Sequence, residues 1–333
     1  FLHYFYDAEY NRNYSTGSMP GGGMKSNTNI GADYSVGLQR LSLFGEVSYS
    51  VNSAVNHFTD KWAILNGASF QLHPQVSMSV LHRYLGAGFY ARYGNAFREN
   101  SRNSNENGIY TGIEVLPLPH WKITAYLDAY SFPFLAKLIA DGHSGFDYHI
   151  QADYTERDQL SGYLRYRYKT RPSRINSGGS MGPDLAKPRR SQLRFHISYT
   201  ITEALVFQNR IELSFYDETV KESGWLAYHD IIYKPPSFPL SFSFRYAMFD
   251  TESYDTRIYT YEHDVLYAFA IPSWYGRGIR TYLNTRLKLG RHVDIWFKYA
   301  LSWYPERETI SSGLNEIVGH HKQDINVQLR LKF

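Results

Sequence analysis

The sequence contains no cysteine. Disulfide frameworks, thiolate nucleophiles and cysteine metal sites are therefore excluded. It also lacks any stretch approaching the roughly 18 consecutive apolar residues that a spanning helix requires. A bilayer crossing would have to use strands, because only helices and closed barrels satisfy every backbone group in hydrocarbon. Charge imbalance is small as well, with a net +4 and a pI of about 8.9. A basic balance of that size does not by itself imply a nucleic-acid or anionic-surface partner. The sequence starts at Phe1 without a methionine or an export signal of the basic, apolar, small-residue kind; if the protein is exported, the expectation is a processed product or the C-terminal part of something longer.

What is present is aromatic. The chain of 333 residues holds 30 Tyr, 20 Phe and 6 Trp, yet 20% of it is charged and its mean hydropathy is −0.44. That mixture suits strands with one apolar and one wet face. The last stretch shows it most clearly: Ile325, Val327, Leu329, Leu331 and Phe333 alternate with Asp324, Asn326, Gln328, Arg330 and Lys332. Successive side chains of a strand point to opposite faces, so one face here must be buried in something apolar and the other wetted. A closing strand of this kind with a terminal aromatic resembles the last strand of bacterial outer-membrane barrels, in which Phe333 would serve as the C-terminal assembly signal read by the barrel assembly machinery.

About eighteen period-two segments bounded by turn residues follow one another along residues 1–333, which are read as one unit. Tight connections fall at 38–40, 73–75, 116–120, 156–159, 202–204, 235–239 and 290–292. Longer polar segments lie between them, at 14–27, 52–60, 86–107, 133–145, 171–187 and 305–321. Short turns on one side and long loops on the other form the layout of an outer-membrane barrel. Keeping strand direction consistent requires a hairpin in which 253–261 descends, 262–264 turns and 265–271 ascends. The expected fold class is all-β, a large antiparallel transmembrane β-barrel of about eighteen strands. Flexible loop tips are expected at 17–23 and 101–107, which are rich in Gly or in Ser and Asn.

A soluble sandwich also alternates. Against it stand the strand number, the aromatics near strand ends and the chemistry of the polar face. Trp62, Trp121, Tyr199, Tyr233, Tyr299 and Trp303, with Trp274, fall where a barrel places its interfacial girdles. The polar face carries Arg165, Arg167, Arg194, Arg210, Glu212, Arg245, Arg280, Arg286, Lys288, Lys298 and Arg330, together with Lys169 and Lys332. So many charges do not fit a dry core, where an unpaired one costs several kcal/mol. They are expected to line a wet or plugged, net basic lumen.

Candidate motifs weigh less. His143 and Ser144, flanked by Gly142 and Gly145, form a pair without a third orienting group, and a loop turn is the stronger reading. His320, His321 and Asp324 lack the spacing that converges on one ion, so no metal is expected, nor any cofactor. The basic run Lys169, Arg171, Arg174, Lys187, Arg189 and Arg190 flanks Gly178 and Gly179; a solvated loop meeting lipopolysaccharide phosphates is favoured over a mouth gathering an anionic polymer. Residues 89–98 are too apolar for a free loop. They are expected to fold onto the mouth or into the lumen as a constriction, or to bind a partner.

Several runs carry a closer resemblance: Phe44-Gly45-Glu46-Val47-Ser48, Tyr93-Gly94-Asn95-Ala96-Phe97, Arg210-Ile211-Glu212-Leu213, Tyr254-Asp255-Thr256-Arg257 and Ser312-Gly313-Leu314-Asn315. Together they resemble the C-terminal barrel of Bacteroidota outer-membrane proteins with upstream helix-hairpin-helix modules. That resemblance implies further strands and DNA-backbone-binding modules upstream, and a nucleic-acid partner by analogy only. The leading functional expectation is an outer-membrane pore or transport-related component of an envelope complex, in contact with outer-membrane lipid and other envelope proteins. The alternative is a non-conducting structural or assembly subunit that binds partners through its loops and lumen. An enzyme is not expected, since no nucleophile, base and orienting group converge.

Overall fold

The computed structural model describes residues 2–10, 24–52, 58–133, 143–175 and 184–333. Its first strands are β1 (Leu2–Tyr10), β2 (Met24–Gly37), β3 (Leu41–Asn52), β4 (Trp62–His73), β5 (Val76–Leu85), β6 (Glu106–Val115) and β7 (Trp121–Ser131). Then come β8 (Ser144–Glu156), β9 (Leu160–Thr170), β10 (Ser173–Ile175), β11 (Asp184–Ala186), β12 (Arg189–Thr202), β13 (Leu205–Asp217) and β14 (Lys221–Tyr233). The remainder are β15 (Leu240–Thr251), β16 (Ile258–Tyr259), β17 (Ser273–Trp274), β18 (Gly276–Leu289), β19 (Val293–Trp303), β20 (Thr309–Ile310), β21 (Ile317–Val318) and β22 (His321–Leu331). Sixteen of them succeed one another in sequence order in one sheet, while β10–β11, β16–β17 and β20–β21 are separate two-stranded ladders. No helix among the described residues is long and apolar enough to cross a membrane.

Every tight connection read from the sequence links neighbouring long strands at the expected residues. His120, Arg157 and Gly290 take positive φ values of 72°, 47° and 65° in three of these connections, the left-handed conformation that reverses a strand within a few residues. The hairpin at 262–264 does not form. Residues 253–261 and 265–271 supply only β16 and an isolated bridge between Glu262 and Ala270, so among the described residues the main sheet has sixteen strands where about eighteen were expected. The segment alternates like a strand, but its carboxylates are bound by cations on the neighbouring strands, and those bonds set its path. The loop tip at 17–23 and the Gly178-Gly179 turn lie outside the described residues.

Contacts divide the chain into two compact units: Phe1–Pro117, Lys122–Ile150 and Tyr168–Arg189 form the first, and Leu118–Trp121, Gln151–Arg167 and Arg190–Phe333 the second. In the first, Val47, Val51, Ile109, Ile113 and Leu127 are exposed on one side of their strands, whereas Ser50, Asn52, Arg83, Glu106 and Asp128 on the other side are buried. In the second, Ile211, Phe215, Met248, Leu283, Phe297, Ile325, Val327 and Leu329 are exposed while Arg210, Glu212, Asp230, Arg245, Arg280, Asp294 and Lys298 are buried. Both units are inside-out relative to a water-soluble protein. Apolar area costs about 25 cal/mol per Å² when left in water, whereas the same rows facing hydrocarbon incur no such cost.

The girdle aromatics sort by strand position. Trp62 and Trp121 open β4 and β7, Tyr233 closes β14 and Trp303 closes β19, as expected, and Tyr199 lies in the last turn-ward part of β12. Trp62 packs on Tyr49 and Phe58 at 4.8 and 5.6 Å, and Trp121 on Tyr154 at 5.1 Å. Tyr299 differs: it lies inside β19, opposite Leu283 and Ile325. Trp274 differs more. It closes β17, two residues before β18, but is buried in a cluster with Leu226, Phe249, Ile258, Tyr304 and Ile310, its indole N–H donating to Thr260 Oγ1 at 2.8 Å, so its ring meets protein on the inner side of the sheet.

Candidate functional site: segments clamped onto the polar face

Within the second unit the polar residues of successive strands form one connected network. Arg245 on β15 makes a bidentate pair with Asp230 on β14, both bonds at 2.6 Å. Its remaining nitrogen donates to the Tyr261 carbonyl at 2.6 Å. Arg280 on β18 forks onto Glu262 at 3.1 and 3.0 Å and also reaches Asp324 on β22 at 2.9 Å. Lys298 on β19 bridges Glu262 at 3.2 Å and Asp264 at 2.9 Å. Arg210 on β13 pairs with Glu212 and donates to the Tyr259 carbonyl. Segment 252–275 is thus held from below by cations of β13, β15, β18 and β19. Glu262 is 1% exposed, so its charge is tolerable only because three donor bonds satisfy it.

Two groups of this segment have displaced proton affinities. Burial pushes the His263 imidazole below its ordinary value; Asp230 opposes the shift, and the Lys234, Arg245 and Lys298 cations add to it. Burial opposes ionisation of Asp264, but hydrogen bonds from Lys298 Nζ, the Val265 backbone N–H and the Asn326 amide hold its carboxyl below the usual carboxylate range. Both groups are therefore in their neutral-pH forms, imidazole and carboxylate, when the segment is seated.

The first unit repeats the device with other residues. Arg83 on β5, 0% exposed, binds Glu106 at 2.6 Å and Asp128 at 2.7 and 3.0 Å. Glu106 in turn accepts backbone N–H bonds from Glu99 and Asn100. Asn103 donates to the Gly94 carbonyl and Asn52 to the Gly88 carbonyl, and Phe89 is buried with Ala63 and Leu85. Residues 89–98 accordingly fold back onto the strands, the first of the alternatives open for them. Gly108 lies opposite Arg83 in the β5–β6 register, and a Cβ there would lie 2.7 Å from the guanidinium carbon. Only glycine leaves room for that buried cation.

Of the basic residues read from the sequence, Arg194 pairs with Glu212, Arg165 with the Gln151 amide oxygen, and Arg286 and Arg330 both with Asp294. Arg167 also has a partner. Lys288 is exposed and makes no ion pair among the described residues. Glu212 is the one acid among the lumen residues read from the sequence; Asp128, Asp230, Asp294, Glu106 and Glu262 are buried as well and compensate much of what reads as a net basic face. Their signal was available, since Asp128, Asp230 and Asp294 occupy the polar parity of their strands. His143 precedes β8 and Ser144 opens it, while Gly142 of the expected turn lies outside the described residues. Among the described residues no group of three or more His, Cys, Asp or Glu converges as a metal site.

Exposed apolar rows over buried, mutually paired charges decide the fold class and its setting. The chain is an outer-membrane β-barrel protein. No protein-family model matches it and no curated protein matches it. Among solved structures, in-vitro folded OmpT, an outer-membrane protein of Vibrio cholerae, aligns over 99% of this chain and 93% of its own at 13% identity and a TM-score of 0.43. An anion-selective porin from Comamonas acidovorans aligns over 92% and 100%, at 8% identity and 0.43. The siderophore receptor PirA of Acinetobacter baumannii aligns over 92% of this chain and 55% of its own, at 11% and 0.44.

Proposed function

We propose that this barrel is a solute pore narrowed by its own inward-folded segment. The observation that carries the reading is the clamping of Glu262 and Asp264 by Arg280 and Lys298: a segment anchored to the polar face restricts the passage beside it and presents fixed charges there. Phe333 acts as the assembly signal, and the charged residues named above line the passage. The chain is not an enzyme on this reading. A planar-bilayer recording tests it. Wild-type protein gives small, steady steps, and the double variant Glu262→Gln, Asp264→Asn gives larger, noisier ones. Absence of conductance in both proteins refutes the pore.

A second reading, a non-conducting subunit of an envelope complex, is favoured by the same segment's outer side, where Tyr267 is 88% and Phe269 77% exposed. Such aromatics suit a protein partner. Stable co-purification of envelope proteins with wild type, lost on replacing both aromatics by Ser, supports this reading; purification of the barrel alone refutes it. The Bacteroidota helix-hairpin-helix affiliation stands with these proposals, and isolation of the intact protein from its native membrane tests it: additional upstream sequence containing those modules supports it.

A further inference from the structure

At the end of β18 and β22 and the start of β19, one carboxylate serves three cations. Asp294 receives Arg286 at 3.0 Å, Arg330 at 2.5 Å and Lys332 at 3.1 Å. The Trp296 ring lies 5.0 Å from the Arg286 guanidinium and 5.2 Å from that of Arg330, which fixes both in place. A cavity of about 460 Å³ opens beside them, lined by Lys234, His263, Asn284, Arg286, Lys288 and Trp296 among others. Neither Lys234 nor Lys288 has an ion-pair partner among the described residues. The one carboxylate in the lining, Asp264, is occupied by Lys298. Asn284 donates its amide to the Asp264 carbonyl, while its Oδ1 is buried and accepts nothing.

From this arrangement we infer that the cavity binds a phosphorylated small solute. The excess cations match a phosphate dianion, which Arg and Lys bind through charge-assisted hydrogen bonds. The volume exceeds that of an inorganic phosphate and falls in the range of roughly 300–1,000 Å³ that small-molecule sites occupy. Phe238, Phe242 and the prolines 235, 236 and 239 supply apolar wall to the rest of the solute. Because Asn284, Arg286 and Lys288 share the parity of Arg280 on β18, and Trp296 that of Asp294 and Lys298 on β19, the phosphate source is a soluble molecule rather than a lipid headgroup.

This deepens the pore reading by naming its solute class and rests on that reading for its physiological sense. The test is made on the full chain in detergent, where binding is read without conduction, so the two fail separately. Calorimetric titration with glucose 6-phosphate gives saturable binding, inorganic phosphate binds more weakly, and glucose does not bind. Lys288→Gln and Lys234→Gln each weaken glucose 6-phosphate about tenfold, the loss of one charge-assisted bond. Both side chains are exposed and, among the described residues, make no ion pair, so these variants fold. Absence of binding, or wild-type affinity in both variants, overturns the site. Equal affinity for inorganic phosphate overturns the placing of the rest of the solute in the cavity. Displacement of glucose 6-phosphate by phosphatidylglycerol in the micelle overturns the soluble source.

Discussion

Replacing Glu262 by Gln keeps its shape and removes one charge from the most enclosed part of the second unit. Arg280, whose side chain is 7% exposed, would retain Asp324 and Ser302, and Lys298, at 3%, would retain Asp264. Removing one member of a buried ion pair costs roughly 3–5 kcal/mol because the partner's charge stays buried. Here two cations keep other acceptors, so the lower end, about 3 kcal/mol, is expected. The loss falls on the seated segment, not on the strand ladders, whose hydrogen bonds are unchanged. It would therefore appear as local opening. Hydrogen exchange at the backbone amides of Thr260 and Glu262, bonded to the Pro272 and Ala270 carbonyls, should accelerate by about two orders of magnitude. Amides of β15, β18 and β19 should keep their wild-type protection. Unchanged exchange at Thr260 and Glu262 would refute the idea that the carboxylate holds the segment.

Acidification should weaken the same segment in two stages. His263 has a lowered affinity for protons when seated, so below its ordinary value of about 6.5 the open form takes up a proton that the seated form refuses, and protection falls. Asp264 is held below its ordinary range; its contribution is complete above about 3.9 and disappears as pH drops through the lower seated value. Exchange measured from pH 8 to 3 checks both, and His263→Gln should abolish the first stage alone. Arg83→Met should strand Glu106 and Asp128 and cost roughly 3–5 kcal/mol, read as a lower urea midpoint; an unshifted midpoint would contradict the pairing. Gly108→Val should prevent Arg83 from reaching Glu106 and lower that midpoint comparably, whereas Gly112→Ala, beside the flexible Tyr110 side chain, should cost less.

Much of the ladder was legible without coordinates, and residue parity explains why. In β22 every odd residue from Ile325 to Leu331 is apolar and every even one from Asp324 to Arg330 is polar, which fixes the face of each residue once the segment is extended. The same parity set β18 against β19, with Arg286 opposite Trp296 and Leu287 opposite Ile295. Turn residues then fixed the short connections. Parity failed at 253–271, where Tyr, Arg and Ile alternate as in a strand but local pattern does not reveal that Glu262 has Arg280 and Lys298 within reach.

An all-β chain with one apolar and one charged face follows from residue order alone, because that information is local and repeats every two residues. Tertiary structure alone decided which charges pair. Arg245 selects Asp230 on the adjacent strand, Arg83 selects Glu106 and Asp128 on two strands, and Asp294 collects three cations while Lys288 has no carboxylate partner among the described residues. Those choices depend on register and on where a folded segment meets the sheet, and a Coulomb interaction acts over distances that sequence separation does not encode.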